Sequence, residues 1–271
     1  MPKVFVAPGH GLKPDPDHPG KTIFDPGAVG HAGGKEFIEH DFNTKVANAL
    51  AAALERCGVE VVLEQGGGNH DPNTIGSTKA ANASGADYAV EVHHNAAGGT
   101  GSEVVINDRA TEANQQLAKA MAAGMASALG IRNRGVIARD REHFNRETTM
   151  PACIPECAFV DSATDQDVID RPGYAATVAE AICKPLCGFL GVAFLPPAQT
   201  TGVSEEELSV SDADEIMTFL RQMKQDMVVF GTTGLEKTVE DFATRQRQTL
   251  DKLDGLASRL EAIERHLNIP S

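Results

Sequence analysis

Residues 87–96 read DYAVEVHHNA. The first seven form a mostly apolar run, too short for a buried helix and rich in aromatic and β-branched types, so the segment reads as a strand inside a sheet. It ends on His93, followed by His94, Asn95 and Ala96. A strand that leaves a sheet on a histidine sets an imidazole at the carboxyl edge, where α/β proteins build their sites. Working outward, KVFVA (3–7), VEVVLE (59–64), GSEVVIN (101–107), GVIA (135–138) and ACIPECAFV (152–160) have the same character. Helical stretches lie between them. Residues 39–58 put Phe42, Val46, Leu50, Ala53 and Leu54 along one face and stop at Gly58. Residues 111–130 end at Gly130, and 173–191 close the domain, with Pro185 expected to kink or end that helix. This alternation predicts an α/β domain over 1–193, a single largely parallel sheet flanked by helices.

Composition changes after Phe194. Residues 194–211 are rich in Pro, Thr, Ser and acid and read as a linker. Residues 212–230 read as a helix, which GTTG at 231–234 breaks. From Val239 onward Phe242, Gln246, Thr249, Leu253, Leu256, Leu260, Ile263 and Leu267 keep a 3,4 spacing, the pattern of a coiled-coil seam. The region 212–271 is therefore expected to form a helical hairpin, a homo-oligomer interface or a targeting segment.

The chain carries 24 Lys+Arg against 38 Asp+Glu, a net charge of −14, which argues against nucleic acid as a partner. No apolar run reaches the roughly 20 residues that a membrane-spanning helix needs. The sequence starts at Met1 and enters its first strand with no room for an export leader, so synthesis in the cytoplasm is expected. Five cysteines, with Cys153/Cys157 and Cys183/Cys187 spaced by four, lack the CxxC pairs of zinc ribbons and redox dithiols, and read as reduced core thiols.

Four residues carry candidate chemistry. His10, in the PGHG turn of residues 8–11, follows the first strand as His93 follows its own, so two imidazoles can leave one sheet edge together. A catalytic zinc site takes three ligands from His and carboxylate and leaves a position open. Glu39, at the first turn of the 39–58 helix, is the candidate carboxylate, although an acid there also suits the helix dipole; Glu36 is its rival. Glu156 lies inside the apolar run ACIPECAFV, where an ionisable group is costly without a charge, metal or hydrogen-bond partner.

These segments, in this order, resemble the zinc-dependent N-acetylmuramoyl-L-alanine amidases of the type-3 family, found in bacterial autolysins and phage endolysins. The resemblance spans residues 3 to 192. It rests on PGHG, DPGAVG (25–30), EHDFN (39–43), EVHHNA (91–96), RGV (134–136) and PACIPECAF (151–159). It implies His10, Glu39 and His93 as ligands of one zinc ion and Glu156 as the catalytic acid and base. His94 and Asn95 are placed beside them as candidate substrate contacts. It further implies cleavage of peptidoglycan between the muramoyl lactyl group and L-alanine, with peptidoglycan as the partner. With no leader, the expected setting is a phage endolysin reaching the wall after the membrane is breached, its C-terminal region assembling copies or targeting the wall. Ala7, Glu91 and Ser162 depart from the family pattern. A zinc peptidase acting on free peptides, or an inactive wall-binding scaffold, are the competing readings.

Overall fold

The computed structural model describes residues 1–14, 17–18, 20–64 and 76–197. The chain divides into two units, Met1–Gln199 and Thr200–Ser271. The expected helices of 212–271, their coiled-coil seam and most of the 194–211 linker lie outside the described residues.

The first unit begins with β1 (Lys3–Pro8), two short hairpins, β2 (Gly11–Pro14) with β3 (Thr22–Asp25) and β4 (Val29–Ala32) with β5 (Lys35–Ile38), and then α1 (Glu39–Arg56). There follow β6 (Glu60–Leu63), α2 (Gly76–Ser84), β7 (Tyr88–Asn95), β8 (Ser102–Ile106), α3 (Glu112–Leu129) and β9 (Asn133–Ala138). The unit ends with α4 (His143–Glu147), β10 (Ala152–Phe159), α5 (Ala163–Ile169) and α6 (Tyr174–Leu190).

Six strands make one sheet in the order β6-β1-β7-β10-β8-β9, and they are the six apolar runs of the sequence. β6, β1, β7 and β10 run parallel, whereas β8 is antiparallel to β10 and β9 is parallel to β8. The reversal has a simple cause. Parallel strands need a crossover of about a dozen residues or more, and only residues 96–101 separate β7 from β8.

The two faces of the sheet are covered unequally. Val4 and Val6 of β1, Tyr88, Val90 and Val92 of β7, and Cys153 and Cys157 of β10 are buried in the larger core with α1, α3 and α6. Alternate residues, Phe5, Ala7, Ala89, Val105, Ala152 and Ile154, form a smaller core with Ala81 of α2 and Phe144 of α4. Burying the many near-inaccessible aliphatics of the first core, each about 1.5–3 kcal/mol, anchors the sheet on that side. The thinner side leaves room for a site at the strand ends.

Pro185 does not end the last helix. α6 runs through it to Leu190 and stops at Gly191, whose φ of 71° is the left-handed cap. Proline removes one helical hydrogen bond, and the buried face of Val178, Ile182, Cys183, Leu186 and Cys187 outweighs that loss. The hairpins of residues 11–38 and the short helices α2, α4 and α5 are not legible from periodicity, because none is long enough to show it.

Candidate metal centre

The chain leaves β1 toward β6 on one side and leaves β7 toward β8 on the other, so a crevice opens at the carboxyl ends of these two neighbours. His10 lies two residues past β1, His93 is in the last turn of pleat of β7, and Glu39 is the first residue of α1. The three side chains meet. His10 Nε2 is 3.2 Å from Glu39 Oε2, and His93 Nδ1 is 3.0 Å from Glu39 Oε1. One donor atom from each residue lies within 4.8 Å of the other two. The outward nitrogens face carboxylates as well: His10 Nδ1 is 3.4 Å from Asp25 Oδ2, and His93 Nε2 is 3.3 Å from Glu91 Oε2.

The motif residues around these three side chains fix their positions. A Cβ on Gly9 would run into the His93 ring, so only glycine lets β1 pass that close. Gly27, at φ 69°, lies where a Cβ would fall 2.6 Å from both Glu39 Oε2 and His10 Cδ2. The start of α1 ties these turns down. His40 Nδ1 donates to the Gly9 carbonyl (2.8 Å), Asn43 Nδ2 donates to the same oxygen (3.1 Å), and the Ala28 amide donates to Glu39 Oε2 (2.8 Å). His10 itself is held at φ 64°, a left-handed backbone that a non-glycine residue keeps only when its surroundings impose it.

Glu156 stands beside the cluster. Parallel pairing of β10 with β7 sets it level with His93, and both line a cavity of about 200 Å³ with Glu91, Glu142, His143, Phe144 and Ile154. Its Oε2 has no hydrogen-bond partner among the described residues. Burial pushes its carboxyl up to about 7, opposed by the positive His93 and reinforced by Glu39. The rival Glu36 is exposed and lies 4.0 Å from His31, away from the cluster.

Residues 4–187 match the family model described as N-acetylmuramoyl-L-alanine amidase. The chain belongs to this family. It is similar to the sporulation-specific N-acetylmuramoyl-L-alanine amidase of Bacillus subtilis, 28% identical over 181 residues that cover 66% of this chain and 64% of the relative. It is similar also to the amidase CwlM of Bacillus licheniformis, 29% identical over 66% of this chain and 65% of the relative. The chain thus spans just under two thirds of the length of these relatives. Among solved structures, the catalytic domain of the amidase CwlV from Bacillus (Paenibacillus) polymyxa superposes with a TM-score of 0.59 at 26% identity, covering 71% of this chain and 100% of that one.

The three grouped side chains favour one another's charged forms. Burial opposes ionisation of Glu39, but hydrogen bonds from His10 and His93 outweigh it and hold the carboxyl far below its usual range. Burial pulls both imidazoles down, yet Glu39 lifts His10, and Glu39 with Glu91 lifts His93 well above the ordinary value. Two imidazoles and a carboxylate with donor atoms within 4.8 Å of one another are the ligand types and number of a zinc site with an open position, so the donor set fits zinc.

His94 is not placed to touch substrate, contrary to expectation. Side chains alternate along a strand, so next to the outward His93 the His94 ring enters the large core and is 2% exposed. Its Nδ1–H donates to Asn43 Oδ1 (2.8 Å), and its Nε2 accepts from the Tyr174 hydroxyl (2.7 Å). Burial lowers it to about 3, so it stays neutral and braces the α1 start that carries Glu39. Asn95 is half-buried at the rim, where its Nδ2 donates to Glu103 Oε1 (2.9 Å) and Glu103 Oε2 pairs with Arg134 Nε (2.5 Å). Asp25 and Glu91, which face the outer nitrogens of His10 and His93, were given no role from the sequence, although each lies inside a quoted motif, DPGAVG and EVHHNA.

Proposed function

We propose that this chain is a zinc-dependent hydrolase that cuts the amide bond between the lactyl group of N-acetylmuramic acid and L-alanine in peptidoglycan. The observation that carries the proposal is the convergence of His10, Glu39 and His93, with Glu156, whose Oε2 has no hydrogen-bond partner among the described residues, beside them. His10, Glu39 and His93 would hold the ion, which would supply Lewis acidity toward the scissile carbonyl and the attacking water.

The chain's own groups supply the rest. Asp25 and Glu91 orient the two imidazoles by accepting from their outer nitrogens, which fixes the tautomer and ring plane of each ligand. Glu156, with its carboxyl near neutrality, takes a proton from the attacking water and passes it to the departing alanine nitrogen. That nitrogen needs the proton, because an amide anion is a very poor leaving group. The cavity beside His93 and Glu156 leaves room for the reacting groups.

The test is Glu156→Gln, which keeps the shape of the side chain and removes its basicity. Zinc content stays at the wild-type level, and release of alanine amino termini from purified cell walls falls about 10²–10⁴-fold. Full activity in that variant rejects Glu156 as the proton carrier. Comparison of cell walls with free peptides as substrates separates the amidase from a general peptidase.

The finer part of the proposal, a phage endolysin made in the host cytoplasm whose C-terminal helices join copies, rests on the sequence alone. Light scattering tests the assembly. A multimer of the full chain that Leu253→Glu with Leu260→Glu reduces to a monomer supports it, and a monomeric wild type rejects it.

A further inference from the structure

The far end of α1 carries a second group of metal-binding side chains. Cys57 caps α1, and Cys183 and Cys187 stand one turn apart on α6, facing it. Cys57 Sγ is 3.9 Å from Cys183 Sγ, Cys183 Sγ is 3.7 Å from Cys187 Sγ, and all three sulfurs lie within 4.8 Å of one another. Glu39 begins the same 18-residue helix. At 1.5 Å per residue the thiols are therefore about 27 Å from the amidase cluster.

Buried thiols often serve only as small apolar side chains, and this protein contains that case for contrast. Cys153 packs its sulfur on Met121 Sδ at 3.8 Å, and Cys157 faces the Pro155 carbonyl at 3.9 Å; neither meets another thiol. The three remaining cysteines differ in three respects. Their sulfurs contact one another. The Leu195 amide donates to Cys57 Sγ (3.3 Å), a contact that suits a sulfur bearing negative charge. A cation stands beside them: Arg56 donates from Nε to the Leu195 carbonyl (3.0 Å) and from one terminal nitrogen to both Glu180 oxygens (2.7 Å each).

We infer that Cys57, Cys183 and Cys187 form a second metal site, a thiolate site for a soft closed-shell divalent cation of the zinc class. Thiolate is the ligand that selects such ions over magnesium or calcium, which take oxygen. Binding replaces three S–H bonds by three metal–sulfur bonds and releases three protons to water, leaving a complex of net charge −1 beside the Arg56–Glu180 ion pair. Three sulfurs leave one position of a tetrahedral ion, and the Leu195 carbonyl oxygen, 3.6 Å from Cys57 Sγ, offers a donor on that side. Burial pushes the Cys187 thiol up to about 11 and Cys183 still higher, so these two keep their protons until a cation displaces them. Affinity for the ion therefore rises with pH. Occupied, the site clips α1 to α6 and to the segment that carries the chain out of the domain.

The experiment titrates the full-length chain, reduced and freed of metal, with Cd²⁺ alone while recording the ultraviolet charge-transfer absorption of cadmium–thiolate bonds. That signal is blind to the histidine and carboxylate site, so it does not depend on the amidase reading. We expect the band to saturate at one ion per chain, to persist in His93→Ala and Cys153→Ala, and to vanish in Cys183→Ala. Cys57 is the least buried of the three at 7% exposed, and serine keeps its size, so Cys57→Ser decides the question should the buried alanine variant fail to fold. No band in a wild-type chain whose five thiols titrate in denaturant overturns the site, as does a band that survives in folded Cys57→Ser.

Discussion

The two ends of α1 bear the two donor clusters, and they are built in opposite ways. At the amino end Glu39, His10 and His93 come from separate segments and favour one another's charged forms. Glycines at 9 and 27 hold them where no Cβ would fit, and a cavity adjoins them. At the carboxyl end three buried thiols meet inside the main core, and burial pushes Cys183 and Cys187 well above the usual thiol value. The difference teaches how one helix serves two purposes. A site meant to react keeps an open side and pre-set charges, whereas a cluster that only ties elements together is buried.

Several substitutions break that comparison, beginning with the largest effect. His93→Ala or Glu39→Ala removes a ligand from the reactive end. Zinc stoichiometry measured by metal analysis falls by one ion per chain, and wall hydrolysis falls about 10⁴-fold or more, since both the Lewis acid and the charge pattern are lost. Asp25→Ala and Glu91→Ala leave the three ligands in place but free their rings. Zinc affinity, measured by competition with a chelator, then weakens about 10–100-fold in each. Neither substitution alters the cadmium–thiolate band at the other end.

A pH titration sharpens the contrast. In metal-free protein His10, His93 and Glu156 all have folded pKa values above their unfolded ones. Each therefore contributes stability that is present below its unfolded pKa and lost as pH rises through its folded pKa. Glu39 has the opposite sign, contributing above the unfolded carboxyl value and losing that contribution only in strong acid. Thermal unfolding of the metal-free chain should show stability falling from about pH 5 to about pH 8. With zinc bound the trend reverses over the same window, because the ligands bind the ion only without their protons. The smallest effect is expected from Asn95→Ala. Loss of its hydrogen bond to Glu103 costs about 1 kcal/mol, read as a lower unfolding midpoint in urea.

Much of this was legible in the sequence. The six strands announce themselves as short apolar runs, and α1, α3 and α6 as amphipathic stretches with glycine stops, because these elements bury a full face in the main core. The grouping of His10, Glu39 and His93 was legible because each sits at a strand end or a helix start, positions that the pattern itself marks. The hairpins of residues 11–38 were not, since four-residue strands held by turns and docked on α1 show no period. His94 was misplaced for want of one step of reasoning: alternation along β7 sends neighbouring imidazoles to opposite faces. The thiol cluster was hidden because Cys57 is 126 residues from Cys183, and only the pair on α6 shares a readable spacing.

The central claim is that His10, Glu39 and His93 hold the ion with which this chain cuts the muramoyl–alanine bond. The most direct measurement quantifies new alanine amino termini released from purified peptidoglycan by the zinc-loaded full-length chain and by Glu39→Ala loaded in the same way. The account predicts steady release by the first and none above background by the second. Equal release by both, or no alanine termini from the zinc-loaded wild type, would contradict it.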